Sequence, residues 1–145
     1  MDEEERLYSR IGLMKDNGNI YSVYCEYNGD LENVGRTLYE NYNNRELVSN
    51  LIKKGSIERL GIAIDSDKKE DKTTFLIRDR HLPSSLYKYV FNRNLNGFLR
   101  TAQEIGAEYS YLFTDKDDWL YIDMKTGDFD RLEDKLKSLD GVKNK

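Results

Sequence analysis

The stretch Ser9–Asp30, SRIGLMKDNGNIYSVYCEYNGD, decides how this chain folds. Residues alternate as strands do from Leu7 to Met14 and again from Ile20 to Tyr27, and Asn17-Gly18 between them is a strong hairpin signal. The reading is a β-hairpin. Counting by two along its second limb puts Tyr21, Val23, Cys25 and Tyr27 on one face, with Ile20, Ser22, Tyr24 and Glu26 on the other. The face carrying Val23 and Cys25 is the expected core side. Asn28-Gly29 then breaks the strand, and Asp30 is expected to cap a helix from Leu31 by accepting backbone N–H groups.

Working outward, Leu31, Val34, Leu38 and Tyr42 form an apolar stripe at helical spacing, with Gly35 beside it for close approach, and Asn43-Asn44 ends it. A second amphipathic helix from Arg45 to Lys54 carries Leu47, Val48, Leu51 and Ile52 and stops at Gly55. Residues 56–64, SIERLGIAI, hold either a helical turn or an edge strand, and the charge cluster 65–72, DSDKKEDK, is a solvated loop. TTFLIRD at 73–79 has strand composition, whereas RHLPSS at 80–85 is turn chemistry around Pro83. From Leu86 the chain reads as irregular or helical, then as a helix carrying Phe98, Leu99, Ala102 and Ile105 and closed by Gly106.

AEYSYLF at 107–113 and WLYIDM at 119–124 make a second hairpin around TDKDD, closed by Thr126-Gly127, and Leu132, Leu136 and Leu139 line a last helix from Asp130 to Leu139. The expected class is α+β: an antiparallel sheet of about five strands, two hairpins plus one, with about four helices packed mainly on one face. One domain spanning 1–145 is expected, between a short flexible acidic N-terminus and a basic C-terminal tail.

The 145 residues suffice for a core without staples, since chains of this size bury about 70% of their unfolded surface. No apolar run of about 18 residues offers a membrane span, and the opening MDEEER is acidic where a secretory leader is basic. The expectation is a cytoplasmic protein. Cys25 has no partner for an internal disulfide. A net charge of −4 with 34% charged residues is a mixed-sign surface, which disfavours generic nucleic-acid binding. Eleven tyrosines against five phenylalanines suit either half-exposed strand faces or a binding face.

Zinc chemistry needs three or four Cys and His ligands, and the chain has only Cys25 and His81. A Cys25–His81 nucleophile pair stays formally open, although a small buried thiol is the simpler reading. DKDDWL fails as a calcium loop because Trp119 and Leu120 replace a ligand and the glycine. No phosphate-loop, dinucleotide or nucleophile-elbow motif occurs, so no cofactor and no metal are expected. One polar group stands out, IRDRH, where Arg78 and Arg80 alternate around Asp79. In an extended run both guanidiniums project from one face and can grip phosphate or carboxylate. The competing reading is surface arginines paired with nearby carboxylates, and Arg10 either joins them or is solvated.

The segment SRIGLMKDNGNIYSVYCEYNGDLENVGRTLYENY, followed by ELVSNLIKKGSIERLG, resembles a group of small uncharacterised phage and prophage proteins. Their opening reads Ser-Arg-Ile-Gly, an Asp-Gly or Asn-Gly hairpin, Tyr-Cys and a short aromatic turn ending in Gly. GAEYSYLF and WLYID are also similar, whereas the middle of the chain matches poorly. Members of that group tend to carry His-Trp-Asp-Gly after the cysteine. Here Glu26-Tyr27-Asn28-Gly29 stands there, so no histidine role transfers. The resemblance implies a phage or mobile-element source, and with it the host bacterial cytosol, rather than a mechanism.

The expected ligand-binding set is Arg10, Tyr24, Glu26, Tyr27, Asn28, Arg78 and Arg80, tyrosines stacking on a base and arginines meeting phosphate. The leading expectation is a non-enzymatic phage-type module that counters a bacterial defence by sequestering a nucleotide-like signal, in a homo-oligomer. Two alternatives stand beside it. One is an inhibitor of a host enzyme or defence protein acting through an acidic, tyrosine-rich surface, Asp2 to Glu5 and Asp115 to Asp118 beside Trp119. The other is a divalent-metal nuclease or phosphodiesterase built from Asp, Glu and Lys.

Overall fold

The structure, a computed structural model, describes residues 6–76 and 89–143. The expected flexible acidic start and the last two residues of the basic tail lie outside them, as do Arg78, Arg80, His81 and Pro83. The first hairpin forms as the sequence predicts, β1 (Ser9–Met14) pairing antiparallel with β2 (Ile20–Cys25). The helical segment after it opens with a π turn at Leu31–Gly35 and continues as α1 (Arg36–Asn41). Helix α2 (Arg45–Lys53) follows, then β3 (Ile57–Arg59), β4 (Thr74–Phe75), β5 (Val90–Asn92) and α3 (Leu95–Glu104). The second hairpin is β6 (Tyr109–Phe113) with β7 (Trp119–Asp123), and β8 (Phe129–Arg131) leads into α4 (Leu132–Lys143).

The class is α+β, but among the described residues the sheet has eight strands rather than five, in the order β4-β3-β2-β1-β6-β7-β8 with β5 also on β2. It is mixed, because β1 runs parallel to β6, from Ser9 opposite Tyr109 to Leu13 opposite Phe113, and β2 meets β3 in parallel at Cys25 and Ile57. The cause lies in how the hairpins join. β1 and β6 are almost wholly buried, so each needs a second paired edge, and each supplies the other's. Local alternation reports only the antiparallel partner within a hairpin. β5 and β8 are three residues each, too short for a period to show. β8 takes Asp130 and Arg131 from the helix expected there, so α4 starts at Leu132 and runs past Gly141.

Both sheet faces are covered. On the first, Ile11, Leu13, Val23, Cys25, Tyr111 and Phe113 pack against Leu38 of α1, Val48 and Leu51 of α2, and Leu132 and Leu136 of α4. Each such aliphatic side chain contributes about 1.5–3 kcal/mol relative to exposure. On the second face Ile20 and Leu112 pack under Phe98 of α3. The face expected to be the outer side of β2 is therefore a second core, and among the described residues the α-helices divide three to one. Among the described residues no helix is long and apolar enough to cross a membrane.

Asparagines start two helices, Asn44 Oδ1 accepting from Leu47 N at 2.9 Å and Asn94 Oδ1 from Gly97 N at 2.9 Å. Asp30 does not cap in this way. Its carboxylate instead accepts both contacts of Asn33 Nδ2, at 2.8 and 3.1 Å, while its carbonyl accepts from Asn33 N and Gly35 N. The turn before it uses Asn28, not Gly29, for its positive φ of 57°. Gly29 supplies room, since a Cβ there would lie 2.3 Å from the Leu7 carbonyl oxygen. Its N–H donates to that oxygen at 2.8 Å, and its own carbonyl accepts from the buried Tyr111 hydroxyl at 2.7 Å.

Candidate functional site

Of the residues predicted to bind ligand, Arg10 and Tyr24 come together as cross-strand partners on the α3 face. Arg10 is not a solvated arginine but is 0% exposed, because even positions of β1 lie under α3. Its Nε donates to Ser22 Oγ at 2.9 Å and its Nη2 to the Ser22 carbonyl at 3.1 Å. Tyr24 is buried as well, its ring packed on Tyr8 with centroids 5.5 Å apart, so it is poorly placed to receive a base. Desolvation raises its pKa.

Glu26 and Tyr27 form a separate group with Arg6 and Arg59. Arg6 Nη2 lies 3.7 Å from Glu26 Oε2 and its Nε donates to the Tyr27 hydroxyl at 3.3 Å. The Tyr27 ring also carries Arg59, 4.7 Å from its centroid. Asn28 shapes the turn. Arg78, Arg80 and His81, and with them the Cys25–His81 pairing, fall outside the described residues. Beside Arg6 a cavity of about 390 Å³ is lined by Tyr8, Gln103, Glu108 and Lys125, but Lys125 and Glu108 already pair at 2.5 Å. Its charges are largely spent on each other.

A second cavity, of about 250 Å³, opens on the first face between the β1–β2 turn and the end of α2. Leu13 and Ile52 supply apolar wall, Tyr21 and Tyr89 supply rings, and Ser49, Lys15 and Lys53 supply donors. Tyr21 meets Tyr89 edge-on at 5.6 Å and Phe91 at 5.3 Å, while Tyr89 and Phe91 stay 50% and 45% exposed. Lys15 Nζ hangs 5.8 Å from the Tyr21 centroid. Among the described residues the paired lysines are Lys72, Lys125, Lys135 and Lys137, so neither lysine of this cavity has a carboxylate partner.

Local sequence explains why these groups converge. Lys15 opens the hairpin turn, its N–H donating to the Asn19 carbonyl at 2.8 Å and its carbonyl accepting from Gly18 N at 2.9 Å, which leaves the side chain to project. Ser49 and Lys53 are four apart on α2 and share a face. Arg45, at the start of α2, holds that helix over both hairpins by donating to the Met14 carbonyl at 2.8 Å and the Thr114 carbonyl at 2.7 Å. Chemically, the cavity can clasp a flat ring against tyrosine and neutralise an anionic group with two ammoniums. Sequence reading missed Lys15, Lys53 and Tyr89. The spacing of Ser49 and Lys53 was readable, whereas their meeting with Tyr89 is tertiary.

Other candidates are structural. Trp119 is 4% exposed and donates Nε1–H to the Tyr42 carbonyl at 2.9 Å, so the acidic run before it presents no indole. Among the described residues no three of His, Cys, Asp and Glu gather as a metal would need. Cys25 is fully buried, and burial pushes its thiol up to about 12. Native Cys25 is expected to react slowly with a thiol reagent and quickly once guanidinium unfolds the chain; rapid native labelling contradicts this.

The same burial sets a pH limit. Tyr121 is raised to about 12 and Tyr42 and Tyr111 are also raised, in each case chiefly by desolvation. In the unfolded chain these groups titrate near about 8.5 for Cys and 10 for Tyr, so above pH 9 the unfolded state holds fewer protons. Stability therefore falls as pH rises from about 9 to 12. Arg10, lowered to about 10 by burial, opposes this, but only above pH 10. Urea midpoints should be flat from pH 7 to 8.5 and decline beyond; a midpoint still flat at pH 11 refutes the assignment.

No family model, curated protein or solved structure matches the chain.

Proposed function

We propose that this chain is a non-enzymatic binding module for a small nucleotide-like anion, seated between Tyr21, Tyr89, Lys15 and Lys53. The carrying observation is two lysines that have no carboxylate partner among the described residues, flanking half-exposed rings over the apolar floor of Leu13 and Ile52. Stacked rings recognise a base without reading its sequence context, and ammoniums recognise phosphate as point charges. The cavity holds a mononucleotide-sized group rather than an oligonucleotide. The phage-type setting, in which such binding sequesters a defence signal in the host cytosol, rests on the resemblance of the Ser9–Asp30 hairpin and the elements after it. A homo-oligomer completing the open side of the cavity belongs to the same reading.

Calorimetry against cyclic nucleotides and nucleotide-ribose compounds tests it. The expected result is saturable binding of at least one phosphorylated member, with ligand recovered intact after heat release. Turnover of the ligand, or no binding across the panel, overturns the proposal. The inhibitor reading is less favoured because Trp119 is internal.

A further inference from the structure

The cavity of Tyr21 and Tyr89 has walls from two layers. Its rings come from β2 and the approach to β5, whereas Ser49, Ile52 and Lys53 come from α2. That helix is firmly held, with Val48, Leu51 and Ile52 buried against the sheet, Asn44 Oδ1 capping its start, and Arg45 donating to the Met14 and Thr114 carbonyls. Ser49 and Lys53 therefore reach the cavity from a rigid element.

Lys53 meets phosphate in the site proposed above, but Ser49 has no part there beyond its place in the wall. It is half-buried, and among the described residues its hydroxyl makes no hydrogen bond. A helical serine often donates back to the carbonyl four residues earlier, here that of Arg45. Ser49 does not, which leaves its Oγ in the cavity wall free both to donate and to accept. Ser49 stands one turn before Lys53 on the same wall, with about 5–6 Å between Cβ atoms at this spacing. A nucleotide whose base lies on the tyrosines and whose phosphate meets Lys53 passes its sugar along that wall. Phosphate prefers the ammonium, because a charge-assisted hydrogen bond is about twice as strong as a neutral one. The neutral hydroxyl is left to the sugar.

We propose that Ser49 selects the sugar of the ligand: the cavity takes a ribonucleotide and reads a ribose hydroxyl through Ser49 Oγ. This rests on the binding site proposed above and narrows its ligand class. A deoxy analogue leaves the Ser49 hydroxyl without that partner, and one neutral hydrogen bond corresponds to about three- to tenfold in affinity.

The test is calorimetry of the full chain with the ribonucleoside 5′-monophosphates and their 2′-deoxy and 3′-deoxy analogues. Wild type should bind at least one ribonucleotide about three- to tenfold more tightly than one of its deoxy analogues. Ser49→Ala should bring the ribonucleotide down to the deoxy level and leave the deoxy affinity unchanged. Alanine is the best helix former, so α2 should persist in this variant. The Lys15→Ala, Lys53→Ala double variant reports on the cavity itself and should weaken ribo and deoxy forms alike. A wild type that binds both sugars equally, or a preference that survives in Ser49→Ala, overturns the sugar assignment and leaves the lysine site standing. Failure of every monophosphate to bind overturns it as well, and the wider panel of phosphorylated compounds then decides the lysine site on its own.

Discussion

Replacing Lys15 and Lys53 together by alanine is expected to weaken binding of a phosphorylated ligand sharply while leaving the fold intact. Both side chains lie on the surface of the cavity and neither takes part in an ion pair among the described residues, so their loss strands no buried partner. A hydrogen bond to a charged group contributes about 1.5–3 kcal/mol, so two together weaken binding by about 100-fold or more. Salt gives a second readout. Affinity of the wild type should fall with ionic strength, and the double variant should lose most of that dependence. Tyr21→Ala should instead cost about 1–3 kcal/mol through lost stacking and leave the salt slope unchanged. Unchanged affinity in the lysine double variant would place the ligand elsewhere.

The largest stability effect is expected at Gly29. A Cβ there meets the Leu7 carbonyl oxygen at 2.3 Å and Ser9 Cβ at 2.9 Å, and neither neighbour is the free end of a flexible chain. The backbone must shift, and with it go the bonds from Gly29 N to Leu7 and from Tyr111 Oη to Gly29. Gly29→Val should lose about 3 kcal/mol, the upper end of overpacking penalties. Asn28→Ala puts alanine in a left-handed conformation at φ 57°, costing about 1–2 kcal/mol for that backbone. Equal urea midpoints for the two variants would show that the strand-to-helix junction is looser than its contacts imply.

Local chemistry was legible in the sequence. Asn17-Gly18 marked the first hairpin, Arg45 to Gly55 marked α2, and Gly55 takes the positive φ of 96° that its helix-ending role requires. What failed depends on distant partners. The parallel pairing of β1 with β6 joins residues a hundred positions apart, and no alternation within either hairpin reports it. Tyr24 and Arg10 read as outward groups because polar residues alternate there with Val23 and Ile11, yet α3 roofs that face. Fixing the roof required knowing that Phe98 sits over Gly12, where a Cβ would come within 2.8 Å of its ring. The lysine cavity was invisible for the same reason, since Lys15, Lys53 and Tyr89 come from a turn, a helix end and the approach to β5. Arg10, expected in a surface clamp or solvated, is instead an internal cation.

The most direct measurement is lysine acylation followed by mass spectrometry, with and without whichever phosphorylated compound calorimetry shows to bind. Lys15 and Lys53 should both be protected in the complex, while Lys68 and Lys69, exposed on the loop before β4, should label equally in both states. A saturated complex in which Lys15 and Lys53 label as fast as Lys68 and Lys69 would contradict the binding site proposed for this fold.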